Sequence, residues 1–188
     1  MKFDELVKER KSVRTFKDKT VAFGDILEAI DCALQGPFAG NTNNIKFVIV
    51  EEPKTIKLLA KHANQTWVNE ASSVIVVCSD ETNLKNQYGE RGRDYARQQA
   101  GAAIETILLK LTDMGVGSCW VGALSYDLVK QILKIPDHIH IEAMIPVGYE
   151  KGKAKKPRKQ ELETVLRWEN WRTFKRPSIF SEAPAYRE

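Results

Sequence analysis

The 188-residue sequence predicts a three-layer α/β/α fold, in which helices cover both faces of a single β-sheet. Helical and extended patterns alternate along the chain. Residues 74–77 are apolar at every position, which is typical of a strand buried on both faces. No internal repeat and no linker rich in Pro, Gly or Ser divides the chain. Its length suits one domain with a substantial core.

The first predicted elements are two helices and a strand. A short helix is expected over residues 3–10, and a second one begins at about Asp25, a suitable N-cap. Gly36 and Pro37 end that second helix, because neither residue continues a helix well. Apolar and β-branched residues then predict a strand over residues 45–50.

The rest of the chain alternates in the same way. Pro53 opens a helix, since proline lacks only an N–H that the first turn leaves unpaired. The longest helix is predicted over residues 93–114, where apolar side chains form one stripe, and Gly115 ends it. A further helix over residues 126–134 and a last strand over residues 139–147 complete the core.

Composition and charge exclude several classes of protein. The net charge of +4 is too small to argue for nucleic acid by itself, and no apolar run approaches the length of a membrane span. The first residues do not resemble a secretory signal. Cys32, Cys78 and Cys119 are far apart and odd in number, which argues against disulfides and cysteine-based zinc sites. The expected location is therefore the cytoplasm, with no metal site.

A basic cluster near the N-terminus is the first candidate site. Arg10, Lys11 and Arg14 surround the hydroxyl of Ser12. Charge-assisted hydrogen bonds from such a group suit a phosphate, although most short charged runs are simply solvated. A second basic run covers residues 151–159. This run is open to three interpretations: a nucleic-acid contact, a solvated loop, or a second set of ligands that closes on the same phosphate as Arg10.

Two loops rich in glycine or asparagine complete the set of candidate segments. Residues 115–122 do not form a dinucleotide fingerprint, because Trp120 occupies the third glycine position and the segment follows a helix. Gly117 and Gly122 suggest a backbone that approaches a flat ligand. Residues 36–44 hold three asparagines and two glycines between a helix and a strand, which turn chemistry alone would explain.

Taken in order, these segments resemble the FMN-dependent nitroreductase family. The motifs are Basic-x-Ser-x-Arg, Pro-x-Ala-Gly-Asn-x-Asn, Gly-x-Gly-Ser-Cys-Trp-x-Gly, and Pro-Val-Gly-Tyr followed by Lys-Pro-Arg. The resemblance covers residues 5–168 and implies an α+β fold with a central mixed, mainly antiparallel sheet. It also implies a homodimer with two FMN sites at the subunit interface, NAD(P)H as electron donor and a small-molecule acceptor.

The resemblance further implies which residues bind the cofactor. Those matching the phosphate and ribityl contacts are Arg10, Lys11 and Ser12, with Arg14 nearby, and Lys156 and Arg158 from the second basic run. Those matching the loop that reaches the partner's flavin are Pro37, Phe38, Ala39 and Asn41. Gly117 and Ser118 match the segment along the isoalloxazine edge. Most relatives carry serine where this chain has Phe38, so a hydrogen bond is lost there.

The implied activity is hydride transfer from NAD(P)H through FMN to a nitroaromatic, a quinone or a similar acceptor. The chemistry belongs to the flavin, so no side chain is expected to act as a general acid or base. A dehalogenase on the same scaffold, or a flavin-binding or flavin-processing protein without nitroreductase activity, is the alternative. Tyr88 and Trp67 are the candidates for shaping access to the flavin.

The C-terminal tail predicts an interaction between subunits. Six large apolar or aromatic side chains fall between residues 168 and 186, and a disordered tail would be poor in aromatic residues. We therefore expect an FMN-binding domain over residues 1–168 and an arm over residues 169–188 that docks on a partner subunit. Packing of this tail on its own subunit is the rival interpretation.

Overall fold

The structure, a computed structural model, describes residues 1–153 and 156–176. It divides into a first unit, Met1–Ala154, and a second unit, Lys155–Glu188. The helices of the first unit are α1 (Phe3–Glu9), α2 (Phe23–Ala33), α3 (Pro53–His62), α4 (Thr82–Tyr88), α5 (Arg91–Asp113) and α6 (Tyr126–Leu133). Its strands are β1 (Ile45–Val50), β2 (Ser73–Asp80), β3 (Gly117–Ser118) and β4 (Ile139–Gly148). The second unit contains α7 (Leu162–Val165).

The four strands form one sheet in the order β1-β2-β4-β3, and every neighbouring pair is antiparallel. β2 pairs with β4 along its whole length, with a register shift between Val77 and Cys78. A parallel bridge between Ser12 and Ser118 adds the N-terminal segment beside β3. The predicted mixed, mainly antiparallel sheet is therefore confirmed, and the chain has the expected α+β fold.

Two apolar layers cover the sheet, because alternate residues of each strand point to opposite faces. Ile75 and Val77 of β2 pack with the apolar stripes of α2 and α5. Val74 and Val76 face the other way and pack with α3 and α6. β2 is thus apolar at every core position because helices cover both faces of the sheet, as its sequence predicted. The predicted three-layer α/β/α architecture is confirmed.

Two local predictions differ from the structure. The second helix begins at Phe23, so Asp25 lies inside its first turn, and its N–H bonds to the Ala22 carbonyl oxygen. The negative charge of Asp25 still favours the helix N-terminus. The sequence also did not predict a separate helix before residue 93, whereas the structure has α4, which meets α5 in a corner at Gly89 and Glu90.

The helices of the first unit carry both apolar and charged side chains. α5 is long enough to span a bilayer, but it carries charged side chains along its length. Among residues 1–153 and 156–176, no helix is both long and apolar enough to cross a membrane. The same residues contain no group of three or more His, Cys, Asp or Glu side chains that could hold a metal ion.

Candidate functional site

The N-terminal basic cluster lies along the edge of the sheet. The N–H of Val13 donates to the Ser118 carbonyl oxygen at 2.9 Å, and Ser12 forms a parallel bridge with Ser118. The extended segment ends in a further pairing between Phe16 and Glu150. Two segments that the sequence identified independently, residues 10–14 and residues 117–118, therefore lie side by side.

Carboxylates hold two of the predicted phosphate ligands. Arg10 Nε lies 3.3 Å from Glu105 Oε1, and Lys11 Nζ lies 2.9 Å from Glu150 Oε2. Both basic side chains are one-fifth exposed, so each charge is oriented but still reaches solvent. Because Lys11 already has a close carboxylate, any phosphate would compete with Glu150 for its ammonium group.

Arg14 is placed differently from the other two cations. It is exposed, and its guanidinium lies 6.0 Å from the centre of the Trp67 ring, within the range of a cation–π contact. The Trp67 ring also packs against Phe16, with a centroid separation of 6.4 Å. One of the two residues expected to shape access to the flavin therefore lies beside the basic cluster.

The thiol of Cys119 lies beneath the basic cluster. Burial raises its pKa, while the charges of Arg14 and Arg10 and a hydrogen bond with Ser12 act in the opposite direction. The net rise keeps the thiol protonated at neutral pH, so it is not an activated nucleophile. The side chain is 2% exposed, so its role is to pack under the cluster as a small core residue.

Packing explains Gly117 without any ligand. A Cβ at this position would lie 3.0 Å from the Gly148 carbonyl oxygen and from Val13 Cγ1. Gly117 and Ser118 are both buried, so a ligand would reach them only through the cavity that they line. Gly122 is more open, since a Cβ there would meet only Trp120 Nε1, at 3.9 Å. The expectation of a glycine kept free for a flat ligand therefore fits Gly122 better than Gly117.

A cavity of about 390 Å³ adjoins Gly117 and Ser118. Its lining includes Lys11 and Ser118 but also three carboxylates, those of Glu5, Glu9 and Glu150. This balance of charge disfavours a phosphate inside the cavity. The groups suited to a phosphate are instead those along the 10–14 segment.

The second candidate segment, the 37–44 loop, packs on the first half of α5. Phe38 is half-buried against the core layer that α2 and α5 form. Ala39–Asn41 make a single 3-10 turn, in which Gly40 (φ +56°) and Asn41 (φ +54°) both adopt left-handed backbone. Pro37 and Ala39 line a surface cavity of about 340 Å³ with Tyr95 and other residues of α5.

Tyr88 contacts this loop from the other side. A Cβ on Gly40 would lie 2.6 Å from Tyr88 Oη, so the tyrosine hydroxyl rests directly on the loop. Tyr88 also packs edge to face with Tyr95, at 5.2 Å between centroids. Tyr88 and Trp67 therefore each lie beside one predicted flavin-binding segment.

The second basic run belongs to the second unit. Lys156 and Arg158 are exposed, and Arg158 Nη2 lies 2.6 Å from Glu161 Oε1. The meeting of these residues with Arg10 stays a prediction. The expected arm is described only as far as residue 176, and its residues 177–188 lie outside the described residues.

The sequence did not indicate the partners that orient the site. Glu105 binds Arg10 and Glu150 binds Lys11, and the two residues of each pair lie far apart along the chain. Gln99 was also missed, although it lies within the apolar stripe of the longest predicted helix. A polar residue on such a stripe must find a partner when buried, and that signal would have identified it.

The fold and the basic segment at its edge define a class of protein, namely a three-layer α+β protein with an antiparallel central sheet. A model of the Nitroreductase family matches residues 7–71 and 59–149. The chain therefore belongs to the Nitroreductase family, and its general activity is that of an NAD(P)H-dependent oxidoreductase.

Individual relatives agree with this assignment. An NADH dehydrogenase from Thermus thermophilus is 28% identical over 189 residues, covering 85% of this chain and 92% of the relative. An iodotyrosine deiodinase from Thermotoga neapolitana is 25% identical over 180 residues, covering 87% and 96%. The crystal structure of a nitroreductase family protein from Streptococcus pneumoniae superposes with a TM-score of 0.80 at 27% identity, covering 89% of this chain and all of that one.

Proposed function

We propose that this protein is an FMN-dependent oxidoreductase that takes hydride from NAD(P)H and reduces a nitroaromatic, a quinone or a similar small acceptor. NAD(P)H and the acceptor would use the same site in turn, in a ping-pong sequence. The observation that carries the proposal is the pairing of the basic segment 10–14 with residues 117–118 at the edge of the sheet. It joins two segments that in the family resemblance bind one flavin.

The donor chemistry of this segment fits the phosphate end of FMN. Arg10, Lys11 and Arg14 supply cationic donors, and Ser12 supplies a hydroxyl. Glu105 and Glu150 offset two of the three positive charges, so this segment alone is a weak site for a dianion. We therefore propose that Lys156 and Arg158 complete the phosphate site.

The 37–44 loop would serve the flavin of the partner subunit. Pro37, Phe38, Ala39 and Asn41 are the residues proposed to reach it. Phe38 has no polar group to offer, and its half-buried ring anchors the loop to its own core. Polar contacts with the cofactor therefore fall to Asn41 and to the carbonyl oxygen of Ala39, because the Ala39 N–H already donates to Gln99 Oε1.

The protein's own contribution is to bind and orient. Bound FMN supplies the hydride-accepting and electron-donating chemistry. The residues of this chain would hold the phosphate, exclude water from the ring and fix the position of the reacting partners. The buried Cys119 thiol is protonated, and no role as a general acid or base is assigned to it.

Exposed apolar surface supports a homodimer. α2 buries one face, which carries Ile26, Ala29 and Ala33. Phe23 and Leu27 of the same helix, and Leu34 just after its end, remain 40–51% exposed. A helix that is apolar on two faces is typically covered on both of them. In the second unit, Trp171 is 81% exposed and Phe174 is 62% exposed. We propose that a second copy of the chain covers these surfaces.

The similarity to an iodotyrosine deiodinase favours one alternative, a reductive dehalogenase with the same cofactor. Both activities need bound flavin and differ in the acceptor. A steady-state comparison of a nitroaromatic, a quinone and a halogenated phenol as oxidants of the reduced protein would distinguish them.

The first test is the visible spectrum of the purified protein after incubation with FMN and removal of the excess. We expect a yellow protein whose flavin absorbance bleaches anaerobically on addition of NADH or NADPH. Colour without bleaching would indicate a flavin-binding module without turnover. A colourless protein that nucleic acid retains in a salt-dependent way would overturn the proposal.

The second test concerns the phosphate ligands. Arg10→Ala and Arg158→Ala should each weaken FMN binding by about tenfold or more, since each removes a charge-assisted hydrogen bond. Lys57→Ala, which removes an exposed cation of α3, is the matched control and should leave the affinity unchanged. Unchanged affinity in both arginine variants would show that the phosphate assignment is wrong.

A further inference from the structure

The side chain of Gln99 makes three hydrogen bonds to the 37–44 loop. Gln99 lies on α5 and is only 5% exposed. Its Oε1 accepts from the Ala39 N–H at 2.8 Å. Its Nε2 donates to the Thr42 carbonyl oxygen at 3.3 Å and to Asn44 Oδ1 at 2.7 Å. Both N–H groups of the amide and its oxygen are therefore directed at one loop.

The loop needs such support because its backbone is strained. Gly40 and the non-glycine residue Asn41 are consecutive left-handed positions. Their local hydrogen bonds, from the Asn41 N–H to the Phe38 oxygen and from the Thr42 N–H to the Ala39 oxygen, are each 3.0 Å. A non-glycine residue in this region persists only where its surroundings fix it. The buried amide of Gln99 provides that constraint from below.

The end of α4 contacts the side of the loop opposite to Gln99. Gln87 Nε2 donates to Thr42 Oγ1 at 3.3 Å, and the Tyr88 hydroxyl and Gln87 Oε1 leave no room for a Cβ on Gly40. The loop therefore lies between the end of α4 and the buried amide of α5. Contacts with other elements of the same subunit therefore fix its conformation.

We propose that Gln99 is a positioning residue for flavin binding, which acts by fixing the backbone of Ala39 and Asn41. The inference rests on the proposed function, in which this loop reaches the flavin of the partner subunit. Gln99 itself does not touch the cofactor. Its loss would loosen the loop and weaken FMN binding while leaving the phosphate ligands in place.

Asn44 provides an internal way to test this role. It is buried, its backbone oxygen accepts from the Asp80 N–H at 2.9 Å, and its Nδ2 has no hydrogen-bond partner among the residues that the structure describes. In a Gln99→Glu variant, the new carboxyl keeps the acceptor for Ala39. It also accepts from Asn44 Nδ2 if that amide turns over. The Thr42 oxygen regains a donor only when the carboxyl is protonated.

The experiment compares Gln99→Leu, Gln99→Glu and Ile107→Val with the wild-type protein. FMN affinity is measured by fluorescence quenching, and amide hydrogen exchange is followed in residues 38–44. Gln99→Leu should weaken FMN binding by about tenfold to hundredfold and speed exchange in the loop, because three hydrogen bonds are lost. In Gln99→Glu the affinity should be intermediate, and it should recover as the pH falls and the buried carboxyl takes up its proton.

Ile107→Val is the control for general stability. Ile107 is fully buried on the same helix but faces the core, so this variant loses stability without touching the loop. Its FMN affinity and loop exchange should match the wild type. If it weakens FMN binding as much as Gln99→Leu does, or if Gln99→Leu changes neither measurement, the positioning role is wrong. A wild-type chain that binds no FMN would overturn the proposed function, and loop exchange would still decide whether Gln99 fixes the loop.

Discussion

Glu81 is a buried carboxylate that two cationic side chains, Lys85 and Arg93, and the imidazole of His140 all contact. Its side chain is 3% exposed, and its Oε2 lies 2.6 Å from Lys85 Nζ, 3.4 Å from Arg93 Nε and 3.5 Å from His140 Nε2. Burial by itself would raise the pKa of Glu81, but the hydrogen bond from Lys85 and the charges of His140 and Lys85 outweigh it. The pKa is therefore held below its ordinary value of 4.5. The carboxylate links β2, α4, α5 and β4.

The lowered pKa predicts how stability depends on pH. A carboxyl whose pKa falls on folding stabilises the protein above its unfolded pKa, and this stabilisation disappears as the pH falls through the folded value. Glu81→Gln should cost about 1–2 kcal/mol at neutral pH, because partly exposed cations lose their buried partner. It should also flatten the loss of stability below about pH 4.5.

Urea unfolding at a series of pH values measures both effects. The exposed residue Glu51 offers a control, since Glu51→Gln removes the same charge from a solvated position outside any helix. We expect that variant to follow the wild-type curve. Parallel curves for Glu81→Gln and the wild type would contradict the assigned role of Glu81.

The site residues also differ in how far the sequence alone could identify them. Arg10, Lys11 and Ser12 were identified because charge and spacing are local properties of the chain. Glu105, Glu150 and Gln99 were not, since their roles depend on which distant segments the fold brings together. His140 illustrates the same limit. Its neighbours along the chain do not reveal that the fold places it beside a buried carboxylate, although 42% of its side chain remains exposed.

At the level of elements, the sequence correctly predicted the helices and strands whose apolar residues follow a regular period. β1 has the predicted bounds, β2 is the predicted doubly buried strand, and α3 begins at Pro53. The α4–α5 corner was not predicted, because polar side chains run through it without an apolar period. A close approach of two backbones creates this corner, and a sequence pattern does not record such an approach.

Gly92 is the residue that permits this approach. A Cβ there would lie 2.4 Å from the carbonyl carbon and oxygen of Leu84 and 2.5 Å from the Lys85 nitrogen, all of them backbone atoms. Backbone cannot move aside as a flexible side chain does, so Gly92→Ala should separate α4 from α5. We expect a loss of about 2–3 kcal/mol, at the upper end of what overpacking costs.

Gly101→Ala is a control within the same helix. Its new Cβ would meet only Trp120 Cη2, at an ordinary 3.8 Å, and alanine favours the helix interior. Thermal unfolding should therefore show a lower midpoint for Gly92→Ala and an equal or higher one for Gly101→Ala. Equal midpoints in the two variants would mean that the corner tolerates a side chain.

For the whole molecule, the open question is what the tail contributes to assembly. Within the second unit, the Arg167 guanidinium lies 4.2 Å from the centre of the Phe174 ring and 5.3 Å from that of Trp171. The Trp168 N–H also donates to the Thr173 oxygen at 2.8 Å. These contacts give residues 167–174 a local structure that still leaves both rings exposed. Such surface is typical of a segment that another chain covers.

Removal of the tail tests this assignment. A chain that ends at Trp168 should form a weaker dimer, with a dissociation constant at least about tenfold higher, and should retain less FMN, since the proposed sites lie between subunits. Analytical ultracentrifugation and the ratio of flavin to protein absorbance measure the two effects. The full-length double variant Trp171→Ser/Phe174→Ser should reproduce the weaker dimer, because it removes the exposed rings but keeps the chain. If the shortened chain remains a dimer with a full complement of FMN, the tail packs on its own subunit and the arm does not exist.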